Sequence, residues 1–232
     1  NQPMDSPSKR FSIIYNGEIY NHRKIREELD KEYQIGWKGT SDTETLLALL
    51  EKEDLKVALN RVEGMFAFVL FDRVKKELIL VRDHSGEKPL YITTSDRFIA
   101  FASDLNPLKK IPSFDNSINR YAVEEYLKHN YVPTPLSIYN SSFKLPPASC
   151  LILDLNQFNL SSFNSFNDLI SSKGATFFKW WELDPLKKEY QESRLKDDEV
   201  ETTIETLLKK SVESQLISDV PLGAFLSGGI DS

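Results

Sequence analysis

Four short apolar runs, at residues 65–71, 77–81, 90–93 and 97–101, follow one another with turn-forming residues at 72–76, 84–88 and 94–96. Runs of this length, rich in Val, Ile, Phe and Tyr, read as strands joined by tight connections. An antiparallel meander is expected. The runs are too apolar to alternate cleanly, so both faces of the sheet should be covered. Three helix-like stretches come first. Residues 22–31 carry Ile25 and Leu29 four apart, with Asn21 as N-cap. Ser41-Asp42-Thr43-Glu44 opens a second helix, with Leu46, Leu47, Leu49 and Leu50 on its apolar face. Ser41 and Glu44 fit a capping box. Residues 54–62 make a third.

The later chain is more mixed. Residues 118–129 read as a helix, Pro133, Pro135, Pro146 and Pro147 bracket an irregular stretch, and 150–155 read as a strand. Residues 156–175 are rich in Asn, Ser and Phe and weakly periodic, so they read as a long connection. An aromatic cluster at 177–183 includes Trp180-Trp181. The charged stretch 187–198 reads as a solvated linker. A long helix follows, capped by Asp197 or Asp198, with Val200, Ile204, Leu207, Leu208 and Val212 on one face. Ala224-Phe225-Leu226 reads as a short buried strand. The expected division is a first domain at 1–181, a linker at 182–198 and the start of a second domain at 199–232.

Composition excludes several classes. The net charge of −6 comes with no basic stripe, so no nucleic-acid partner is expected. No apolar run approaches the roughly 18 residues of a membrane span, and the polar first ten residues do not read as a signal peptide. The one cysteine, Cys150, has no partner for an intramolecular disulfide, which points to a reducing compartment, the cytoplasm. His22, His84 and His129 are scattered and form no metal-ligand spacing.

Two motifs carry chemistry. In Tyr15-Asn16-Gly17-Glu18-Ile19-Tyr20-Asn21 an apolar strand is expected to stop at Asn-Gly and turn into a helix. An Asn amide and a Gly N–H can aim two donors at one oxygen, as in an oxyanion hole. A plain Asn-Gly turn is the other reading. Near the end, Leu226-Ser227-Gly228-Gly229-Ile230-Asp231-Ser232 follows an apolar run. Its glycines free the backbone to wrap an anion, and Ser227 and Ser232 add donors. It lacks the Walker A lysine. Ser-Gly-Gly-x-Asp-Ser instead resembles the pyrophosphate loop of enzymes that split ATP into AMP and pyrophosphate.

Together with Ser41-Asp42-Thr43-Glu44, Arg82-Asp83-x-x-Gly86-x-Lys88-Pro89-Leu90-Tyr91 and Phe101-Ala102-Ser103-Asp104, these motifs resemble the glutamine-hydrolysing asparagine synthetase family. The resemblance covers nearly the whole chain and is weakest at 156–175. It implies an α+β fold: a class II glutamine amidotransferase domain, an N-terminal-nucleophile-type four-layer αββα sandwich, followed by the start of an α/β pyrophosphate-loop domain. It implies a carbon–nitrogen ligase with glutamine as amido donor. Glutamine hydrolysis would supply ammonia to a carboxylate adenylated by ATP, such as aspartate, giving asparagine, AMP and pyrophosphate. Other members amidate other acceptors. A non-catalytic glutamine-binding module is the alternative outside the enzymes. ATP and Mg²⁺ are implied and a prosthetic group is not. No membrane partner is implied, and a homodimer is compatible with the resemblance.

Carried over by residue, Asn16 and Gly17 resemble the oxyanion hole, and Asn16, Gly17, Glu18 and Asp42 the glutamine site. Glu18 and Asp42 would meet the substrate's ammonium. Leu226, Ser227, Gly228, Gly229, Asp231 and Ser232 would bind ATP, with Asp231 organising Mg²⁺. The family nucleophile is a cysteine at the start of the mature chain. Residue 1 here is Asn1, and both ends read as internal to a larger protein. The chain as given is expected not to hydrolyse glutamine. Cys150 is expected to be structural.

Overall fold

The structure is a computed structural model that describes residues 2–183, 197–217 and 220–229. The chain divides into two units, 1–182 and 183–232.

The first unit runs β1 (Met4–Asp5), β2 (Phe11–Ile19), α1 (His22–Tyr33), α2 (Asp42–Lys52), α3 (Leu55–Arg61), β3 (Gly64–Asp72), β4 (Glu77–Arg82), β5 (Tyr91–Thr94), β6 (Ile99–Ala102), α4 (Leu105–Leu108), α5 (Arg120–His129), β7 (Ser142–Lys144), β8 (Ser149–Asp154), α6 (Phe166–Ile170) and β9 (Ala175–Lys179). A six-stranded antiparallel sheet has the order β1-β2-β3-β4-β8-β9, and a three-stranded sheet the order β6-β5-β7.

Strand period two sorts β3 into two cores. Phe66, Phe68 and Leu70 join Ile13 and Tyr15 of β2 and pack with Ile25, Leu29, Leu46, Leu49 and Leu59 from α1–α3. Ala67 and Val69 point the other way and meet Leu90, Ile92, Phe143 and Leu145 at the second sheet. The large sheet is therefore covered on both faces, which explains why its strands do not alternate with polar residues. The small helix α4 packs at β6, and α5 buries Ala122. Helices, sheet, sheet and helices give the expected αββα order.

The four apolar runs do not form one meander. Two belong to the first sheet and two to the second. The chain changes sheets at the turn after β4, where buried Arg82 and Asp83 act on the backbone. The Arg82 guanidinium donates to the carbonyls of Lys88 (2.8 Å), Leu145 (2.7 Å) and Gly86 (2.5 Å). The Asp83 carboxylate accepts from the N–H groups of Glu87 (2.9 Å), Lys88 (2.9 Å) and Phe66 (3.1 Å). Gly86 sits at φ 73°, a conformation that favours glycine.

Other expectations are corrected. The strand does not stop at Asn16-Gly17; β2 continues to Ile19, paired throughout with β3. Gly17 answers to close packing. A Cβ there would lie 2.2 Å from the Met65 carbonyl oxygen and 2.6 Å from Phe66 Cα. Asn21 precedes α1 without capping it. Its amide donates to the Arg61 carbonyl (2.8 Å) and accepts from Glu63 N–H (3.0 Å), fastening α1 to the entry of β3. Ser41 does cap α2, accepting from Glu44 N–H at 3.2 Å. Glu44 does not close the box; it accepts from Lys38 N–H (2.7 Å) and Gly39 N–H (3.0 Å). Residues 156–175 are no mere connection, because Phe158, Phe163, Phe166, Leu169 and Ile170 line the second core.

In the second unit, α7 (Asp197–Ser214) exposes Ile204, Leu207, Leu208 and Val212. Ala224-Phe225-Leu226 is irregular and Phe225 is fully exposed, whereas a buried strand was expected. A strand needs a partner for its backbone groups, and the described residues of this unit contain none. The side chains of Asp197 and Asp198, most of the 182–198 linker, and Asp231 and Ser232 lie outside what the structure describes.

Candidate functional site

The second half of β2 lies along an open sheet edge. β1 pairs only with Ser12 and Ile13. Beyond that, side chains replace a strand. Gln2 Nε2 donates to the Tyr15 carbonyl at 2.8 Å, and Tyr15 N–H donates to Gln2 Oε1 at 2.7 Å. Ile19 N–H donates to Asp42 Oδ2 at 3.0 Å. The backbone groups of Tyr15 and Ile19 thus face the edge, and period two puts those of Gly17 on the same side. The partner strand agrees. Phe66, opposite Gly17, donates its N–H to Asp83 and accepts Asp83 N–H at 2.8 Å, both away from β2. The Gly17 N–H therefore points out of the sheet, framed by Gln2 and Asp42.

Side chains alternate along the same strand. Tyr15 and Ile19 lie in the core on the helix side, so Asn16 and Glu18 lie on the face toward the second sheet, both exposed. Asn16 Nδ2 donates to Ser103 Oγ at 2.8 Å. Asp42 stands in the first turn of α2, where the helix dipole favours an acid. Its Oδ2 also accepts from the Tyr15 hydroxyl at 2.9 Å, and Oδ1 accepts from Thr43 N–H at 2.8 Å. Burial, then the Asp42 charge beside it, pushes the Tyr15 phenol far above its ordinary pKa, so Tyr15 stays a donor to Asp42. Burial holds His22 below its ordinary value, with Asp42 opposing that shift.

The structure brings Asn16, Gly17, Glu18 and Asp42 together along one strand and the helix start clipped to it. Leu226, Ser227, Gly228 and Gly229 lie in the second unit, where Gly229 N–H donates to Ser227 Oγ at 3.2 Å. Among the described residues no group of three or more His, Cys, Asp or Glu could hold a metal ion. Cys150 is fully buried in β8, in one cross-strand row with Tyr15, Phe68 and Val81, and burial pushes its thiol well up. Gln2, Tyr15, Asp83 and Ser103 were given no role in the site from the sequence. Asp83 and Ser103 stand in motifs that carried the resemblance, whereas the sheet-edge role of Gln2 has no sequence signal.

The sequence profile described as glutamine amidotransferase domain matches residues 1–164. The chain belongs to this family. A second profile, asparagine synthase, matches residues 203–232, beyond the glutamine amidotransferase domain. The chain is 33% identical, over 95% of its length, to a Methanocaldococcus jannaschii protein provisionally named asparagine synthetase (glutamine-hydrolyzing) 2, and covers 38% of it. It is also 33% identical over its full length to asparagine synthetase (glutamine-hydrolyzing) 1 of Bacillus subtilis, and covers 33% of that protein. The chain thus spans little more than a third of these relatives. The resemblance read from the motifs is borne out. Among solved structures, the glutamine phosphoribosylpyrophosphate amidotransferase of B. subtilis, complexed with ADP and GMP, matches with a TM-score of 0.51 at 16% identity. That match covers 78% of this chain and 32% of the other. It shows the N-terminal-nucleophile-type fold in the glutamine amidotransferase domain. Among the described residues no helix is long and apolar enough to cross a membrane.

Proposed function

We propose that this chain is the glutamine-hydrolysing part, with the beginning of the synthetase part, of an asparagine synthetase. The observation that carries the reading is the outward N–H of Gly17 at the open strand edge beside Asp42, with the Asn16 amide on the adjoining face. Attack on the glutamine carboxamide turns its carbonyl oxygen into an oxyanion. Two fixed donors, Gly17 N–H and Asn16 Nδ2–H, would stabilise that charge as it develops. Glu18 and Asp42 supply negative charge for the substrate's α-ammonium. Asp42 is already oriented by Tyr15 and Ile19, so it needs little rearrangement to bind.

The nucleophile implied by the resemblance, a terminal cysteine, is not among residues 1–232, and buried Cys150 does not replace it. In the whole protein, ammonia released from glutamine would attack an aspartyl-adenylate made from ATP, giving asparagine and AMP after pyrophosphate has left. Leu226, Ser227, Gly228, Gly229, Asp231 and Ser232 are assigned to ATP, and Asp231 to its Mg²⁺. The single buried thiol fits a cytoplasmic setting.

The test uses the full-length gene product. It should release glutamate from glutamine, and AMP when given aspartate, glutamine and ATP. Asn16→Ala should lower kcat for glutamate release about 10²-fold or more. Glutamate release that is insensitive to Asn16→Ala sinks the site. AMP release with another carboxylate but not with aspartate sinks the assigned acceptor.

A further inference from the structure

The hydrogen bond from Asn16 to Ser103 joins residues 87 positions apart and from different sheets. Asn16 lies in β2 of the large sheet. Ser103 directly follows β6 of the small one, and Asp104 then caps α4, its Oδ1 accepting from Asn106 N–H at 2.6 Å. Ser103 is thus held between a strand end and a capped helix start, while Asn16 is exposed. An exposed carboxamide turns easily about its last torsion. It carries two N–H donors on one planar nitrogen. A bond from one of them to a fixed hydroxyl sets the plane of the amide and leaves the second N–H with a defined direction.

We infer that Ser103 is a positioning residue: it orients the Asn16 amide so that the remaining N–H, together with Gly17 N–H, meets the oxyanion of the tetrahedral intermediate. This rests on the reading of Asn16 as an oxyanion donor. A donor aimed in advance stabilises developing charge without reorganising during reaction. An exposed hydrogen bond adds little to stability, so the effect of Ser103 should fall on rate and not on folding.

The experiment is a double-mutant cycle on glutamate release by the full-length gene product. Ser103→Ala should lower kcat about tenfold, with KM changed by less than about twofold, a smaller loss than that of removing the donor itself. Ser103→Thr, which keeps the hydroxyl, should restore most of the rate. Asn16→Ala/Ser103→Ala should be no slower than Asn16→Ala alone, because Ser103 acts through Asn16. A Ser103→Ala enzyme as fast as the parent overturns the inference while leaving the Asn16 reading intact. So does a double mutant whose losses multiply, since that is the signature of an independent structural role. If Asn16→Ala itself is without effect, or the parent releases no glutamate, the underlying reading and the inference both fall.

Discussion

Gly17 is held to glycine by packing at the same point where its N–H is proposed to meet the substrate. Its hydrogen faces Met65 and Phe66, where a methyl group would meet backbone atoms at 2.2 and 2.6 Å. Backbone cannot step aside as a flexible side chain can. Gly17→Ala should cost about 1–3 kcal/mol through overpacking, and each kcal/mol lowers the melting point by about 2–4 °C in a domain of this size. An unchanged thermal melt would contradict the contact. Because Asp83 holds Phe66 from the other side, β3 has little freedom to yield. His84 makes a second residue-scale case. Its ring lies edge-on to Trp180 (4.4 Å) and Trp181 (5.2 Å), and burial lowers its pKa against the opposing pull of Asp83 and Glu63. The unfolded chain then takes up the proton more readily than the folded one. Stability from this site is complete above the unfolded value near 6.5 and is lost as pH falls below it. His22 acts in the same direction. Urea midpoints should decline between about pH 7 and about pH 5, and His84→Gln should make that decline shallower. A slope untouched by His84→Gln would remove the assignment.

At the scale of elements, periodicity and the Ser41 cap were legible, while the Asn21 cap and the strand pairing were not. Ile25 and Leu29 marked the buried stripe of α1, and Ser41 marked the start of α2, because both signals are local. The allocation of the four apolar runs to two sheets goes with long-range contacts such as that of Arg82 with the Leu145 carbonyl, 63 residues away, which no local pattern announces. Asn16-Gly17 misled for a related reason. Asn-Gly is a turn signal when the chain is free to turn, but here β3 pairs with β2 along its full length and keeps it extended. The likeness to family motifs still picked out Asn16, Gly17 and Glu18 on β2 and Asp42 at the helix start bonded to it, since it depends on residue identity and not on conformation. The stretch at 156–175 was misread because α6 has only five residues, too few to show a period. Its burial makes a prediction that a loop would not. Leu169 is fully buried among Phe143, Phe166 and Phe177 of the second core. Leu169→Ala should destabilise by about 2–5 kcal/mol in urea unfolding, whereas a change below about 0.5 kcal/mol, typical of a surface site, would return the segment to the status of a connection.

For the molecule as a whole, the two units differ in what holds them. Every residue of both core clusters, from Met4 to Trp180, lies within residues 1–182. The αββα unit therefore carries its own hydrophobic stabilisation, and the catalytic candidates on β2 and α2 are fixed to that core through Tyr15 and Ile19. The second unit has no comparable cluster among its described residues. Its helix α7 is 18 residues long, with Leu207 60% and Leu208 61% exposed. Most of the stability of a helix in a protein comes from packing its apolar face, not from the helix alone. It follows that a chain ended after Glu182 should keep the cooperative melt of the first unit, with a midpoint within about 2 °C of the 232-residue chain. Differential scanning calorimetry of the two chains measures this directly. A midpoint lower by more than about 5 °C in the shorter chain would amount to more than about 1 kcal/mol of stabilisation from residues 183–232. Residues 183–232 would then be contributing to the stability of the first unit, which could not be treated as a folding unit of its own.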